Sequence, residues 1–293
     1  MGQQIYEAIA DGILGGGVYA LMAVGLTLIF GVLDIINIAQ GILVVLGAYL
    51  SYALSVHLHI DLFVGLLITV PTMFVIGVAI QWLFIRPLRG RDRASMSLLA
   101  AYAVALIIEG ALYRVFGPNF VVLKASYITS SVHLFGFYLS YIYLYGFVLA
   151  VACVAALYLL LYRTRFGRSV RATMQDQTAA RLIGIDVNRV AAVTFGIGVA
   201  VTAIGGMMFG ATSGGFNPNS GYDLISRLLA IIILGGLGSI GGALAAALFM
   251  TTAEALVDIW SPDWAVVVFY LALVLVLIIR PAGLFGRRGA RAQ

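Results

Sequence analysis

Six apolar runs, each long enough to cross a lipid bilayer, are separated by short segments that hold nearly all the positive charge. The runs are residues 9–30, 38–56, 62–85, 97–116, 141–162 and 190–212. A helix needs about 20 such residues to cross the roughly 30 Å hydrocarbon core. A seventh run, 265–279, is shorter but is flanked by Trp264 and Arg280, residue types that settle at membrane interfaces. Fourteen of the seventeen basic residues lie within 86–93, 163–189 and 280–291, and only Arg114, Lys124 and Arg227 stand elsewhere. Of twelve acids, only Asp92, Asp176 and Asp186 fall in those segments. Lys and Arg in short loops mark the cytoplasmic side of a membrane protein. The C-terminus is therefore expected in the cytoplasm. Counting back through the spans puts the N-terminus on the periplasmic side.

With 62% hydrophobic and 10% charged residues, the chain is far from the roughly 25% charge of soluble proteins. It reads as one transmembrane domain over 1–293, all-α, with about eight or nine membrane segments. No basic residue precedes the first apolar run, so a cleaved signal peptide is not expected. The single cysteine, Cys153, lies in an apolar run and excludes a disulfide framework. The net charge of +5 reflects the loops. The arginines lack the interleaved aromatics of a nucleic-acid stacking surface.

Two places interrupt the helical pattern. Residues 224–257 are too long for one upright span and too short for two full ones, and their middle reads LGGLGSIGG. Glycine costs a helix interior about 1 kcal/mol relative to alanine, so the break falls at Gly235, Gly236 and Gly238, which then either line a translocation pathway or form a packed core. The sidedness of the flanking segments requires the stretch to begin and end outside, as a re-entrant pair of half-helices or as two short spans. The second place is 30–41, FGVLDIINIAQG, with Asp34, Asn37 and Gln40 in apolar surroundings. Non-helical backbone survives at membrane depth only where protein buries it or water lines it, and polar residues there are costly and functional. Either Asn37, Gln40 and Gly41 lie on a translocation pathway, or the segment is a solvated cytoplasmic turn. Glu109, inside the fourth run, either joins the pathway or pairs with Arg114. A 194-residue offset aligns Ile85-Arg86-Pro87 with Ile279-Arg280-Pro281, Gly41 with Gly235 and Gly47 with Gly241, a weak internal repeat of the kind found in transporters.

The longest soluble piece is 163–189. Gly167 precedes a short helical pattern over 168–175, Asp176 is a good N-cap, and Gly184 stands where a helix-ending glycine belongs. Between them, Ala179, Leu182 and Ile183 share a helix face at three- and four-residue spacing. This surface can rest on the membrane or dock on a soluble partner. No metal-ligand or catalytic constellation is legible: His57, His59 and His133 are assigned to outside loops, and there is no H-E-x-x-H. No G-x-x-x-x-G-K-[ST] phosphate loop occurs, so the chain binds no cofactor of its own. Transport must be driven by partner subunits using ATP or, alternatively, by an ion gradient in a secondary transporter of a small polar solute.

The chain resembles the branched-chain amino acid permeases of ABC importers, the LivH-type subunit, over nearly its whole length. The first half matches at Tyr19-Ala20-Leu21, Gly25 through Gly31, Ile36-Asn37, Ala39, Gly41, Leu46-Gly47-Ala48-Tyr49 and Arg86 through Gly90. The loop matches at Gly167-Arg168, Arg171-Ala172, Asp176, Ala179-Ala180-Arg181, Gly184-Ile185 and Asn188-Arg189-Val190. The second half matches at Leu234 through Ile240, Arg280-Pro281 and Gly283 through Gly286. The resemblance implies the importer permease fold, a LivM-like second permease, two cytoplasmic ATPase subunits and an extracytoplasmic binding protein, in a bacterial inner membrane. It makes 163–189 the coupling loop, with Gly167, Arg168, Arg171, Asp176, Ala179, Ala180, Arg181, Gly184 and Arg189 at the ATPase contact. Where the family carries His and Glu, this chain has Gln40 and Ile42, which leaves the choice of amino acid or related solute open.

Overall fold

Each apolar run becomes a helix, because backbone N–H and C=O groups surrounded by hydrocarbon must be satisfied within the segment. The computed structural model of the protein describes residues 2–88, 92–128, 130–134 and 137–286. Arg89, Arg91, Arg287, Arg288 and Arg291 of the arginine segments lie outside the described residues. The helices are α1 (Gly2–Leu33), α2 (Gln40–His57), α3 (Leu62–Ile80), α4 (Arg93–Phe116), α5 (Tyr141–Arg163), α6 (Arg165–Gln175), α7 (Gln177–Leu182), α8 (Val187–Thr212), α9 (Ser220–Gly235), α10 (Ile240–Asp258) and α11 (Pro262–Ile279). A π-helical turn, Gln81–Ile85, continues α3. Among the described residues, eight helices are long and apolar enough to cross a membrane. The all-α bundle carries one small addition, a hairpin pairing β1 (Ser131–Leu134) with β2 (Phe137–Ser140) in the register Ser131↔Ser140 to Leu134↔Phe137.

Burial sorts the helices into a centre and a rim. The most apolar window of α1 is 83% buried and that of α8 78%, against 22% for α5 and 11% for α11. Helices in lipid gain little from hiding apolar surface from one another, so association depends on close packing of small residues. Gly25 lies against the Gly198 carbonyl, Gly205 against Met22, Gly206 against the Val44 carbonyl and Gly77 against Gly196. At the rim, α5 and α11 turn Val151, Leu159, Leu275 and Ile278 outward.

The described parts of the three arginine segments share one end of the bundle. There Gly31, near the end of α1, packs on Met174 of α6 and on Gly238, and Gly236 packs on Gly286. The Gln177 side-chain amide donates to the Val32 carbonyl at 3.0 Å. At the opposite end, Val121 and Phe216 exchange backbone hydrogen bonds of 2.9 and 3.0 Å. Asp61 caps α3 by accepting from the Phe63 N–H at 2.9 Å, and its other oxygen accepts from the Tyr127 hydroxyl at 2.9 Å. Burial, and then the hydrogen bond to Asp61, push the Tyr127 phenol above its ordinary range.

The 224–257 stretch forms two short helices of unequal length. Its first helix, α9, has 16 residues and starts inside the bundle, where Gly221 meets the backbone of Gly41 and Ile42. Its second helix, α10, has 19 residues and is long enough to cross. The internal repeat survives only at its ends. Arg86 and Arg280 both follow a helix that finishes at the arginine end, but Gly41 is in the first turn of α2 whereas Gly235 is the last residue of α9.

Candidate translocation and coupling sites

After α1 ends, the chain turns at Asp34, whose φ of 53° is a left-handed value that Asp tolerates better than most residues. Its N–H still reaches the Phe30 carbonyl at 2.8 Å. Asp34 is exposed at the arginine end, as a solvated turn requires. The residues that follow climb back into the protein. Asn37 is 2% exposed and Gln40 fully buried. The Asn37 amide donates to Gln40 Oε1 at 3.1 Å, Gln40 Nε2 donates to Thr202 Oγ1, and the Thr202 hydroxyl donates to the Gly198 carbonyl at 2.9 Å. Thr202 sits within the 26-residue α8, about 22 Å along its axis from the arginine end. Asn37 and Gln40 are therefore held midway along the bundle, in a relay that satisfies buried polar groups.

Next to this relay, Gly41 lets the first turn of α2 touch the Gly221 carbonyl. The neighbour of Gly221, Tyr222, donates from its hydroxyl to Glu109 Oε2 at 2.6 Å. Glu109 thus reaches α9 rather than pairing with Arg114; the ion pair seen among the described residues is elsewhere. The pair is not fully enclosed, since Tyr222 is 44% exposed. The structure therefore links Asn37 to Gln40 directly, while Gly41 and Glu109 each touch the start of α9, at Gly221 and at Tyr222. Thr202 receives Gln40 and Tyr222 binds Glu109, and sequence reasoning missed both. Their only signal is one of three Thr on α8 and a lone Tyr on α9, far along the chain.

Gly235, Gly236 and Gly238 lie apart from it, at the arginine end of α9. Gly236 has φ 96° and Gly238 φ 82°, conformations that disfavour any Cβ. Gly235 meets the Gly242 backbone and Gly236 meets Gly286. The orphan carbonyls at the end of α9 are taken by the chain beyond α11: the Leu284 N–H donates to Leu234 at 2.7 Å and the Phe285 N–H to Gly235 at 3.2 Å. This break is a packed joint.

Midway along α9, Arg227 pairs with Glu254 of α10 at 2.8 Å. The guanidinium also lies 5.2 Å from the Phe269 ring centre and 5.9 Å from that of Tyr19. Glu254 lies within α10 and its charge is answered by Arg227, a pairing 27 positions apart that no short-range pattern announces.

The loop is two helices meeting at Asp176, as its caps imply. Asp176 Oδ1 accepts from the N–H groups of Thr178 and Ala179 at 2.7 and 3.0 Å. The end of α7 is a Schellman turn: Gly184, at φ 85°, donates to Arg181 and the Ile185 N–H to Ala180, both at 3.0 Å. The first helix starts earlier than expected, at Arg165, because the Thr164 hydroxyl accepts from the Gly167 N–H at 3.0 Å. Gly167 is inside that helix, pressed on the Leu160 and Leu161 carbonyls. Leu182 is 83% and Ile183 74% exposed, while Ala180 is 2% exposed. Ala180 therefore faces its own chain and not an outside contact, because the apolar stripe of α7 runs through Ala179, Leu182 and Ile183. Arg171 is also redirected: it stacks 4.6 Å from the Tyr162 ring centre. Arg168, Arg181 and Arg189 remain at the surface.

Comparison with known proteins adds a family to this geometry. Residues 8–277 match the profile described as branched-chain amino acid transport system / permease component. The chain is 31% identical over 297 residues to the high-affinity branched-chain amino acid transport system permease protein LivH of Escherichia coli K12, covering 96% of this chain and 95% of that one. It is 28% identical over 294 residues to the permease protein BraD of Pseudomonas aeruginosa, with the same coverage. A shorter match, 29% over 145 residues, links 49% of this chain to 34% of the LivM permease protein of Escherichia coli K12. No solved structure matches the chain significantly.

Proposed function

The chain belongs to the branched-chain amino acid transport system permease family, and from that premise we propose how its two sites divide the work of import. It is a multi-pass membrane permease of an ABC import system and one component of a multi-subunit assembly. Its cargo is a branched-chain or closely related aliphatic amino acid, received from an extracytoplasmic binding protein. The arginine end faces the cytoplasm, which follows from the distribution of basic residues. A LivM-like second permease completes the pore. It covers the side on which Glu109 and Tyr222 are open, since a carboxylate and a phenol at that depth are poorly placed against lipid. Asn37, Gln40, Gly41 and Glu109 line or brace the route.

Two cytoplasmic ATPase subunits drive the cycle, one of them seated on α7. The observation that carries this reading is the exposure of Leu182 and Ile183 on a helix fixed at both ends by Asp176 and the Gly184 turn. A rigid apolar face set beside Arg168, Arg181 and Arg189 suits a protein groove with an acidic rim. The test is Leu182→Asp. Its side chain is solvated in the free permease, so folding should hold. Docking would then have to bury a charge, which costs several kcal/mol. Loss of ATPase co-purification and of substrate-stimulated ATP hydrolysis is expected, and unchanged coupling refutes the docking role. Uptake of a panel of amino acids into proteoliposomes carrying the whole system tests the cargo.

A further inference from the structure

At the arginine end a cavity of about 600 Å³ opens between the ends of α1 and α3, the start of α8 and the loop helix α7. It belongs neither to the Asn37–Gln40–Thr202 relay nor to the exposed face of α7. Its polar lining is of mixed sign: Arg86 and Arg181 against Asp186, with the amides of Gln81 and Gln177. Val32, Leu33 and Val187 supply apolar wall. Among the described residues neither arginine is held in an ion pair, so both guanidinium groups are available.

Gln81 points to a ligand. It is 2% exposed, lines this cavity, and its Oε1 is a buried acceptor with no hydrogen-bond partner. A buried polar atom left unpaired is costly and calls for an occupant that donates. Gln81 also opens the π-helical turn, in which the Arg86 N–H reaches back five residues to the Gln81 carbonyl at 2.8 Å. Such turns are rare and concentrate at functional sites. Here the turn sets Gln81 and Arg86 on one cavity wall. One turn up α8 from the cavity-lining Ala191, Thr194 buries a second oxygen without a partner.

We propose that this cavity binds a free aliphatic α-amino acid on the arginine side of the membrane. The carboxylate meets Arg86 and Arg181, the ammonium donates to Gln81 Oε1 and faces Asp186, and the side chain lies on the apolar wall. The proposal rests on the import reading for the side chain and for the sidedness, because the imported product accumulates where this cavity opens. Binding has a mechanical consequence. Arg181 is on α7, whereas Gln81 and Arg86 are at the end of α3, so an occupant spans the joint between loop and bundle. It resists movement of α7 and makes the permease responsive to its own product.

The test uses the transporter with its own partner subunits, reconstituted in phosphatidylcholine vesicles loaded with leucine. Uptake is measured for the wild type and for Gln81→Met, which keeps the shape and removes the acceptor. Each is normalised to its own rate in leucine-free vesicles. Internal leucine should slow the wild type, and the variant should need about tenfold more for the same slowing, the size expected for losing a hydrogen bond to a charged group. Internal leucinol, which lacks the carboxylate, and 4-methylpentanoate, which lacks the ammonium, should have no effect. Equal slowing of both proteins, or none in the wild type, overturns the proposal. Slowing by 4-methylpentanoate equal to that by leucine also overturns it, and marks a plain anion site of the kind a lipid headgroup would fill. If Gln81→Met does not assemble, Arg86→Gln at an exposed position repeats the measurement. Should leucine-free vesicles show no uptake at all, the import reading has failed. Equilibrium binding of radiolabelled leucine to the purified complex, wild type against variant, then decides the cavity separately.

Discussion

At residues 34–39 the chain leaves one helix and restarts another with polar side chains turned inward; at 236–239 it does so with glycines pressed against backbone. Both breaks face the same problem, a run of backbone groups that no helix satisfies. The first meets it with the Asp34 N–H on the Phe30 carbonyl and the Gln177 amide on the Val32 carbonyl, and beside them carries a side-chain relay, Asn37 to Gln40 to Thr202. The second answers with carbonyls capped by Leu284 and Phe285 and with positive φ at Gly236 and Gly238. A side-chain relay can rearrange when a neighbour moves, because rotamers change cheaply. A backbone joint between glycines has no such freedom. Polar density is therefore the better guide to a transport route, and glycine density to a joint. The helix α9 ties the two together: its start packs on Gly41, it ends at the glycine joint, and the Arg227–Glu254 pair pins its middle.

The largest expected effect comes from cutting that pin. Arg227→Leu leaves Glu254 uncompensated among apolar neighbours and should cost about 3–5 kcal/mol, seen as lost yield of monodisperse protein in detergent. Adding Glu254→Leu should recover much of it. A double variant no better than the single would mean that the stacking on Tyr19 and Phe269, not charge, holds α9.

Next is the joint itself. Gly235→Val drives a side chain into the Gly242 backbone and should cost about 1–3 kcal/mol or more. Gly241→Ala, where nothing stands within 4 Å, should be neutral or gain up to about 1 kcal/mol. Thermal unfolding of the two variants checks the pair, and similar melting temperatures would show that the glycines are not a tight contact.

The relay should behave differently. Gln40→Leu orphans Asn37 at a cost of about 1–3 kcal/mol, yet its effect on uptake per folded molecule should exceed its effect on folding. A fall in uptake that only tracks the amount of folded protein would remove Gln40 from the route. The smallest effect is at the far end. Tyr127→Phe should cost about 1 kcal/mol, and the native contribution has a defined pH window. Because the folded phenol titrates above its ordinary value of 10.0, stability is full below about pH 10 and falls above it as the unfolded state ionises. Thermal melts between pH 8 and 11, wild type against Tyr127→Phe, test the sign.

Much of this was legible in the residues. The spans, the caps at Asp176 and Gly184 and both breaks follow from local rules: hydrophobic length, Asx capping, and the freedom of glycine. Errors arose where a local rule met a distant partner. Ala180 has the right residue type for a contact face, but the start of α7, fixed by Asp176, rotates it inward and exposes Leu182. Arg171 has the charge for a rim, but Tyr162 stands one residue from the end of α5 and takes it.

What the sequence alone determined is the class of molecule: an all-α membrane permease with most of its arginines gathered in three short segments and a helical loop among them. Those features depend on transfer energies and backbone propensities that act over a few residues. The tertiary structure decided where depth and contact lie. Gln40 is held midway along the bundle because Thr202, 162 positions away, accepts its hydrogen bond. Glu254 is tolerated because Arg227 faces it, and Gln81 lines a cavity because a π-turn sets it there. Hydrophobicity is additive along a chain and can be read from it. Which polar atom finds which partner depends on how helices cross, and that is fixed only when they pack.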